Sequence, residues 1–302
     1  MSTQVTVSAP AKINLSLGVG PVRSDGFHPL ATVYQAIGLF DDVRVRPAPD
    51  PSQGDTLTVY GDGVDVSEVP TDGTNLALKA ARLLASHHGL DECVEVHIHK
   101  RIPVAGGLAG GSTDRAAALV ACDALWGLKT PREELLHLAA QLGSDVPFCV
   151  VGGTAIGSGR GELVTPVMTR GSYWWVILPA SGGLSTPAVY GEFDRLTAVT
   201  GADEPEISES MLSALRAGDV EWLGATLSND LQEAAFSLRP DLAELVGHGL
   251  DGSAHGAIVT GSGPTTVYLC ESRQHALEVN SVFERPGIVV EAPVHGARVV
   301  SR

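Results

Sequence analysis

The chain has 302 residues, 44% of them apolar, enough to fill one large hydrophobic core or two ordinary ones. A formal charge of −15, with no basic run anywhere, argues against a nucleic-acid backbone or an anionic membrane as the partner and leaves a small molecule. Four scattered cysteines, Cys93, Cys122, Cys149 and Cys270, form no C-x-x-C pair and read as reduced thiols in a cytosol; no secretory leader and no bilayer-spanning apolar run of ~20 residues is visible.

In chain order, Val5 and Val7 alternate as in a strand that breaks at Ala9-Pro10-Ala11-Lys12, and Val43 to Arg46 alternate again before a Pro/Asp/Gly loop from Pro47 to Asp55. Val94, Val96 and Ile98 share one face of a strand whose other face carries Glu95, His97 and His99. Ala116 to Trp126, apolar on nearly every side, predicts a helix buried inside a domain. Thr130-Pro131-Arg132-Glu133 reads as a capping box, and Gly143 marks the end of that helix, with Asp145 just beyond. Further on come a strand from Tyr173 to Leu178, a polar loop over 201–209, two helical stretches and a tight Gly261-Ser262-Gly263-Pro264 turn between two apolar runs. Strands and helices alternate without a regular βαβ rhythm, so the expected class is α+β in two domains, 1–163 and 164–302.

The stretch "PVAGGLAGGSTDRAAAL", Pro103 to Leu119, places Gly106, Gly107, Gly110 and Gly111 in front of a helix, with Ser112 and Thr113 as cap candidates. A helix N-terminus offers unpaired N–H groups and partial positive charge, so a loop almost free of side chains lets a phosphate sit on backbone donors; the alternative is a turn that permits close helix packing. Gly106 and Gly111 have the spacing of a P-loop, but Ser112 stands where that motif requires lysine, and the order of a dinucleotide fingerprint is absent.

Three segments together carry a resemblance: P-A-K-I-N at residues 10–14, P-V-A-G-G-L-A-G-G-S-T at 103–113 and G-S-G-P-T at 261–265. They are similar to the three signatures of the GHMP small-molecule kinases, the superfamily of galactokinase, homoserine kinase and mevalonate kinase. D-G-F-H at 25–28 and L-G-S-D-V-P-F at 142–148 resemble, within it, the family of 4-diphosphocytidyl-2-C-methyl-D-erythritol kinases of the non-mevalonate isoprenoid pathway. The resemblance implies a ribosomal-protein-S5-like N-terminal domain, a ferredoxin-like C-terminal domain, and ATP-dependent phosphorylation of a C2 hydroxyl with ATP and Mg2+ as cofactors. It also implies a bacterial, cytoplasmic enzyme whose partner is the cytidyl-diphosphate substrate.

Residue by residue, the resemblance makes Asp145 the base and Lys12 the cation beside the attacking hydroxyl. Taken alone, Asp145 reads as a turn or cap residue and Lys12 as a solvated strand-end lysine. Pro103, Val104, Ala105, Gly106, Gly107, Leu108, Ala109, Gly110, Gly111, Ser112 and Thr113 become the ATP-binding stretch, with Ser112 also facing the metal. Phe27, His28 and Tyr190 are placed at the cytosine ring, Asn14 near the methylerythritol end, and Gly261, Ser262 and Gly263 against the substrate diphosphate. Asp25 and Gly26 shape the recognition loop. Phe27 stands where many relatives carry tyrosine, which keeps the ring and removes a hydroxyl. Rival readings are a related kinase acting on mevalonate or homoserine, and a ligand-binding regulator on the same fold.

Overall fold

From Ala11 to Leu17 apolar and polar residues alternate strictly, which sends Ala11, Ile13, Leu15 and Leu17 to one face of a strand and Lys12, Asn14 and Ser16 to the other. In the computed structural model, which describes residues 4–301, this segment lies within β1 (Val5–Val19), paired along its length with antiparallel β2 (Leu30–Pro47). The strand therefore runs through Ala9-Pro10-Ala11-Lys12, where the sequence predicts a break. A register irregularity between Pro10 and Ala11 absorbs the proline, which has no N–H to give to the ladder.

The chain continues through β3 (Thr56–Gly61), α1 (Leu76–His87), β4 (Val94–Lys100), α2 (Gly110–Trp126), α3 (Arg132–Leu142), α4 (Val146–Val151), β5 (Thr154–Ser158) and β6 (Leu163–Pro166). Then follow β7 (Tyr173–Leu178), α5 (Thr186–Thr197), α6 (Glu209–Ala217), α7 (Val220–Thr226), β8 (Ser228–Asn229), α8 (Gln232–Leu238), α9 (Asp241–Asp251), β9 (Gly256–Val259), β10 (Thr266–Cys270), α10 (Arg273–Asn280), β11 (Ile288–Ala292) and β12 (Arg298–Ser301). The first sheet has the order β12-β1-β2-β4-β3, with β5, β6 and β8 attached at its sides; the second has the order β11-β7-β10-β9 and is antiparallel throughout. The predicted boundary at 163/164 falls at the start of β6, and β12 returns to pair with β1 in the first sheet. Residues 1–3 and 302 of the two expected domains lie outside the described residues.

One core lies between the first sheet and α1 to α3, built from Val5, Val7, Val43, Val96, Leu84 and the alanine-rich face of α2. A second joins the two sheets: Ile13 and Leu15 of β1 pack with Trp175 and Ile177 of β7 and Val267 of β10. The Trp175 indole N–H crosses this junction to Gln35 Oε1 at 2.9 Å. Among the described residues no helix is long and apolar enough to cross a membrane.

Two predicted helix starts differ from the structure. Helix α2 begins at Gly110, ahead of the cap candidates Ser112 and Thr113, because Ala109 takes the N-cap position in a left-handed conformation and turns the chain early. Thr113 is buried, and its hydroxyl donates to the carbonyl of Pro10 at 2.9 Å. No capping box forms at Thr130 either: Pro131 occupies the cap position of α3, and the Thr130 hydroxyl bonds His88 Nε2 at 3.0 Å.

Candidate active site

A cleft of about 870 Å3 opens where the two sheets meet, and residues from all three glycine- and lysine-bearing motifs line it. Lys12 and Asn14 come from the polar face of β1, Pro103 to Gly111 from the loop ahead of α2, Asp145 from the N-terminus of α4, and Gly261 and Ser262 from the β9–β10 turn. The motifs touch one another. A Cβ placed on Gly261 would stand 3.4 Å from Lys12 Nζ and 3.6 Å from the carbonyl of Gly107.

Lys12 is almost wholly buried, and its ammonium lies 2.8 Å from Asn14 Oδ1 and 3.7 Å from Asp145 Oδ2. Asp145 caps α4 by position only, without a side-chain hydrogen bond to the helix; its Oδ1 accepts from the hydroxyl of Tyr34 at 3.0 Å. Burial, reinforced by the Asp145 charge, holds the Tyr34 phenol well above its ordinary pKa, so Tyr34 stays a donor and fixes one carboxylate oxygen. Asn14 Nδ2 donates to Thr32 Oγ1 at 2.7 Å, and the Asn14 N–H donates to Thr260 Oγ1 at 3.0 Å, which ties β1 to the hairpin of the second sheet. The lysine–aspartate pair thus sits on a rigid floor with one carboxylate oxygen toward the ammonium.

The glycine loop is held from beneath. Leu108 is fully buried in the core between the sheets, and its carbonyl accepts from Lys12 N–H at 3.2 Å. Ala105, Gly107 and Ala109 all have positive φ, and the Ser112 and Thr113 amides both turn back to the Ala109 carbonyl. The first-turn amides of Gly110 and Gly111 remain as donors at the head of a 17-residue helix, in the lining of the cleft. Of the expected ATP-binding residues, Leu108, Ser112 and Thr113 are not in that lining, and neither is Gly263 of the hairpin.

Lys100 and Asp114, which also line the cleft, belong with Asp41 to a buried cluster that the motifs do not contain. Lys100 Nζ donates to Asp41 at 2.5 Å and to Asp114 at 2.7 Å, while Asp41 Oδ1 also accepts the amides of Arg101 and Ile102, fixing the exit of β4 toward the loop. Burial disfavours the Lys100 charge, but the two carboxylates outweigh it and raise its pKa. Burial also pushes the Asp114 carboxyl up to about 7, against Lys100 and with Asp41; its Oδ1 is buried without a hydrogen-bond partner. Between the ordinary 3.8 and about 7 the folded chain holds a proton that the unfolded chain has released, so this contribution favours folding at low pH and is lost as pH rises through about 7. Wild-type stability relative to Asp114→Asn should therefore fall between pH 5 and 8 by roughly 1 kcal/mol or more, measured by denaturant unfolding. A pH-independent difference would mean that Asp114 is ionised throughout.

Elsewhere in the lining, Arg23 to His28 form a tight turn. Asp25 accepts from the Phe27 amide at 3.0 Å and pairs with Arg23, and Gly26 has φ +81°. Phe27 is 49% exposed, with the Arg160 guanidinium 4.7 Å from its ring centre. His28 is buried: its Nδ1 lies 2.8 Å from the Gly20 carbonyl, its Nε2 3.7 Å from Asp194, and its ring 5.0 Å from that of Tyr190. Phe27, His28 and Tyr190 all line the cleft and give it an aromatic part beside its glycine-lined one. His97 and His99 lie outside it, on β4 beside Thr58, Glu95 and Tyr60.

Tyr34, Thr32 and Thr260 are further site residues that the motifs do not contain. Asn229, in L-S-N-D-L, gains a physical role: its amide donates to the carbonyls of Val259 and Gly261, both at 2.8 Å, and so clamps the glycine hairpin.

A helix-capped glycine loop, a buried lysine–aspartate pair and a second-domain glycine hairpin around one cleft define a small-molecule kinase of the GHMP type. The family models agree: GHMP kinases N terminal domain matches residues 75–153 and GHMP kinases C terminal matches residues 211–288. Among relatives, a 4-diphosphocytidyl-2-C-methyl-D-erythritol kinase of Nocardioides sp. is 52% identical, covering 97% of this chain and 99% of its own, and one of Thermobifida fusca is 50% identical, covering 99% of each. A crystal structure of 4-(cytidine 5'-diphospho)-2C-methyl-D-erythritol kinase superposes with a TM-score of 0.76 at 30% identity, covering 96% of this chain and 99% of that one. The chain belongs to the 4-diphosphocytidyl-2-C-methyl-D-erythritol kinase family of the GHMP kinases.

Proposed function

We propose that the chain transfers the γ-phosphoryl group of ATP to the C2 hydroxyl of 4-diphosphocytidyl-2-C-methyl-D-erythritol, giving the 2-phosphate and ADP. The observation that carries this reading is that one cleft is lined by a phosphate-type glycine loop, by aromatic side chains and by Lys12 paired with Asp145. The amides of Gly110 and Gly111 and the head of α2 receive the triphosphate. Phe27 and Tyr190 offer faces to the cytosine ring, and the Gly261–Gly263 turn lies along the substrate diphosphate. Asp145 takes the proton from the C2 hydroxyl as the new O–P bond forms and the bond to the β-phosphate oxygen breaks; Lys12 stabilises the oxygen while charge builds on it. Tyr34 and Asn14 are positioning residues.

Magnesium fits this site as an ion delivered with the nucleotide, since the donors are hydroxyl and carboxylate oxygens. Ser112, next to the last glycine of the lining, would hold it, and it would neutralise charge on the β- and γ-phosphates. The residue ranges 1–163 and 164–302, with β12 rejoining the first sheet, are proposed as the two domains, and the bacterial cytoplasm as the location.

The test is ADP release with ATP and magnesium, offering the cytidyl-diphosphate substrate beside mevalonate and homoserine. Turnover is expected on the cytidyl compound alone. Turnover on either other alcohol would assign the aromatic part wrongly, and binding of ATP with no turnover on any of the three would favour a regulator.

A further inference from the structure

Outside the cleft, the open end of the β9–β10 hairpin gathers two histidines and a glutamate. His255 directly precedes β9, Glu271 directly follows β10, and His275 lies in the first turn of α10. The His255 amide donates to the Leu269 carbonyl at 2.9 Å, which fixes this end of the hairpin, and the two imidazoles meet edge to face with centres 5.1 Å apart. His255 Nε2 is 3.8 Å from Glu271 Oε2, and one donor atom from each of the three residues lies within 4.8 Å of the others.

Two details set this group apart from an ordinary surface cluster. His255 Nε2 is shielded from water yet has no hydrogen-bond partner, which leaves a bare polar atom 3.8 Å from the Glu271 carboxylate. His275 Nε2 lies 3.0 Å from the Ser253 carbonyl. Donation of an Nε2–H to that oxygen leaves Nδ1 as the acceptor, and Nδ1 takes only a long 3.5 Å hydrogen bond from the Glu271 amide, which a metal ion would displace. A backbone carbonyl commonly orients a metal-bound histidine in this way.

We propose that His255, Glu271 and His275 bind a divalent cation of the zinc type, which fastens α10 to the base of the hairpin. Two imidazoles and one carboxylate suit zinc or cobalt; magnesium and calcium favour all-oxygen sets, so the site does not compete for the ion that accompanies ATP. In a tetrahedral zinc site with bonds of about 2.0–2.1 Å the donors stand about 3.4 Å apart. Binding the ion would draw Glu271, whose side chain is 62% exposed, and the half-buried His275 in to that spacing around His255. A water completes the shell on the solvent side. The role is structural: the site lies at the opposite end of the hairpin from the Gly261–Gly263 turn, and its cation stiffens the element that presents that turn to the cleft.

The experiment uses the nucleotide-free full chain in magnesium-containing buffer, equilibrated with micromolar zinc and then dialysed, with bound metal counted by mass spectrometry. Cobalt substitution gives a visible spectrum, and melting temperature is followed in parallel. One zinc per chain, cobalt bands of a four-coordinate site and a zinc-dependent rise in melting temperature are expected. His275→Ala and Glu271→Gln, both at the surface, should weaken zinc binding at least tenfold and abolish the bands while leaving turnover with ATP and magnesium unchanged. His255→Ala should do the same if it folds. No zinc retained from micromolar solution, or zinc retained equally by His275→Ala and Glu271→Gln, would overturn the proposal.

Discussion

Asp145→Asn should lower turnover by roughly 10²–10⁴-fold, the range expected for removing a positioned general base. The substitution keeps the size of the side chain and an oxygen to accept the Tyr34 hydroxyl, so the floor of the cleft should keep its shape. It removes the group that receives the C2 proton and the negative charge 3.7 Å from Lys12. Affinities for ATP and for the cytidyl substrate should therefore change by no more than a few-fold, and kcat and kcat/KM should fall together, the pattern of an interaction made only in the transition state. Initial rates alongside equilibrium binding of each ligand separate the two effects. Turnover within tenfold of wild type would remove Asp145 as the base and leave Lys12 and the phosphate itself to manage the proton. Loss of binding together with turnover would instead make Asp145 part of the structural floor.

The glycine loop was legible in the sequence because it depends on local residue types, glycines ahead of a helix, whereas Lys12 and Asp145 stood out only through the resemblance: alone they read as a strand-end lysine and a turn or cap aspartate. Alternation from Ala11 to Leu17 places Lys12, Asn14 and Ser16 on one face, and the structure turns Lys12 and Asn14 to the cleft, while a register irregularity between Asn14 and Ser16 takes Ser16 out of its lining. What escaped depends on register and on distant pairing. Tyr34 reaches Asp145 because the β1–β2 ladder sets Tyr34 opposite Asn14, a relation that no spacing along the chain reveals. Thr260 ties the hairpin to β1 through one hydrogen bond from the Asn14 amide, 246 residues away, and Asn229, in the β8 strand beside β1, clamps the hairpin through two more across separations of 30 and 32 residues. Asp41 and Lys100 belong to no motif, although an acid inside G-L-F-D-D-V, beside large apolar residues, is a signal of burial. The early start of α2 rests on the left-handed conformation of Ala109, which alanine does not advertise.

Gly107→Ala should raise the KM for ATP by about tenfold to a thousandfold while the protein remains folded. Gly107 has φ +76°, a conformation that costs an L-residue roughly 1–2 kcal/mol. Its missing Cβ would stand 2.8 Å from the carbonyl oxygen of Thr260 and 3.0 Å from that of Gly263, both backbone atoms of the hairpin. Neither can swing aside as a side-chain tip would, because Asn229 holds the neighbouring carbonyls and Thr260 is tied to Asn14. Overpacking of this kind adds roughly 1–3 kcal/mol. The strain is relieved most easily by moving the loop on the N-terminal side of its core anchors, Leu108 and Ala109. At about 1.4 kcal/mol per tenfold, a loop displaced by that strain loses its phosphate contacts first. Gly26→Ala is the control for conformation without contact: φ is +81° there and nothing lies within 4 Å of the added methyl, so ATP binding should be unaffected. An ATP KM within threefold of wild type in Gly107→Ala would mean that the contact between glycine loop and hairpin does not shape the phosphate site, and that the two motifs are neighbours only by packing.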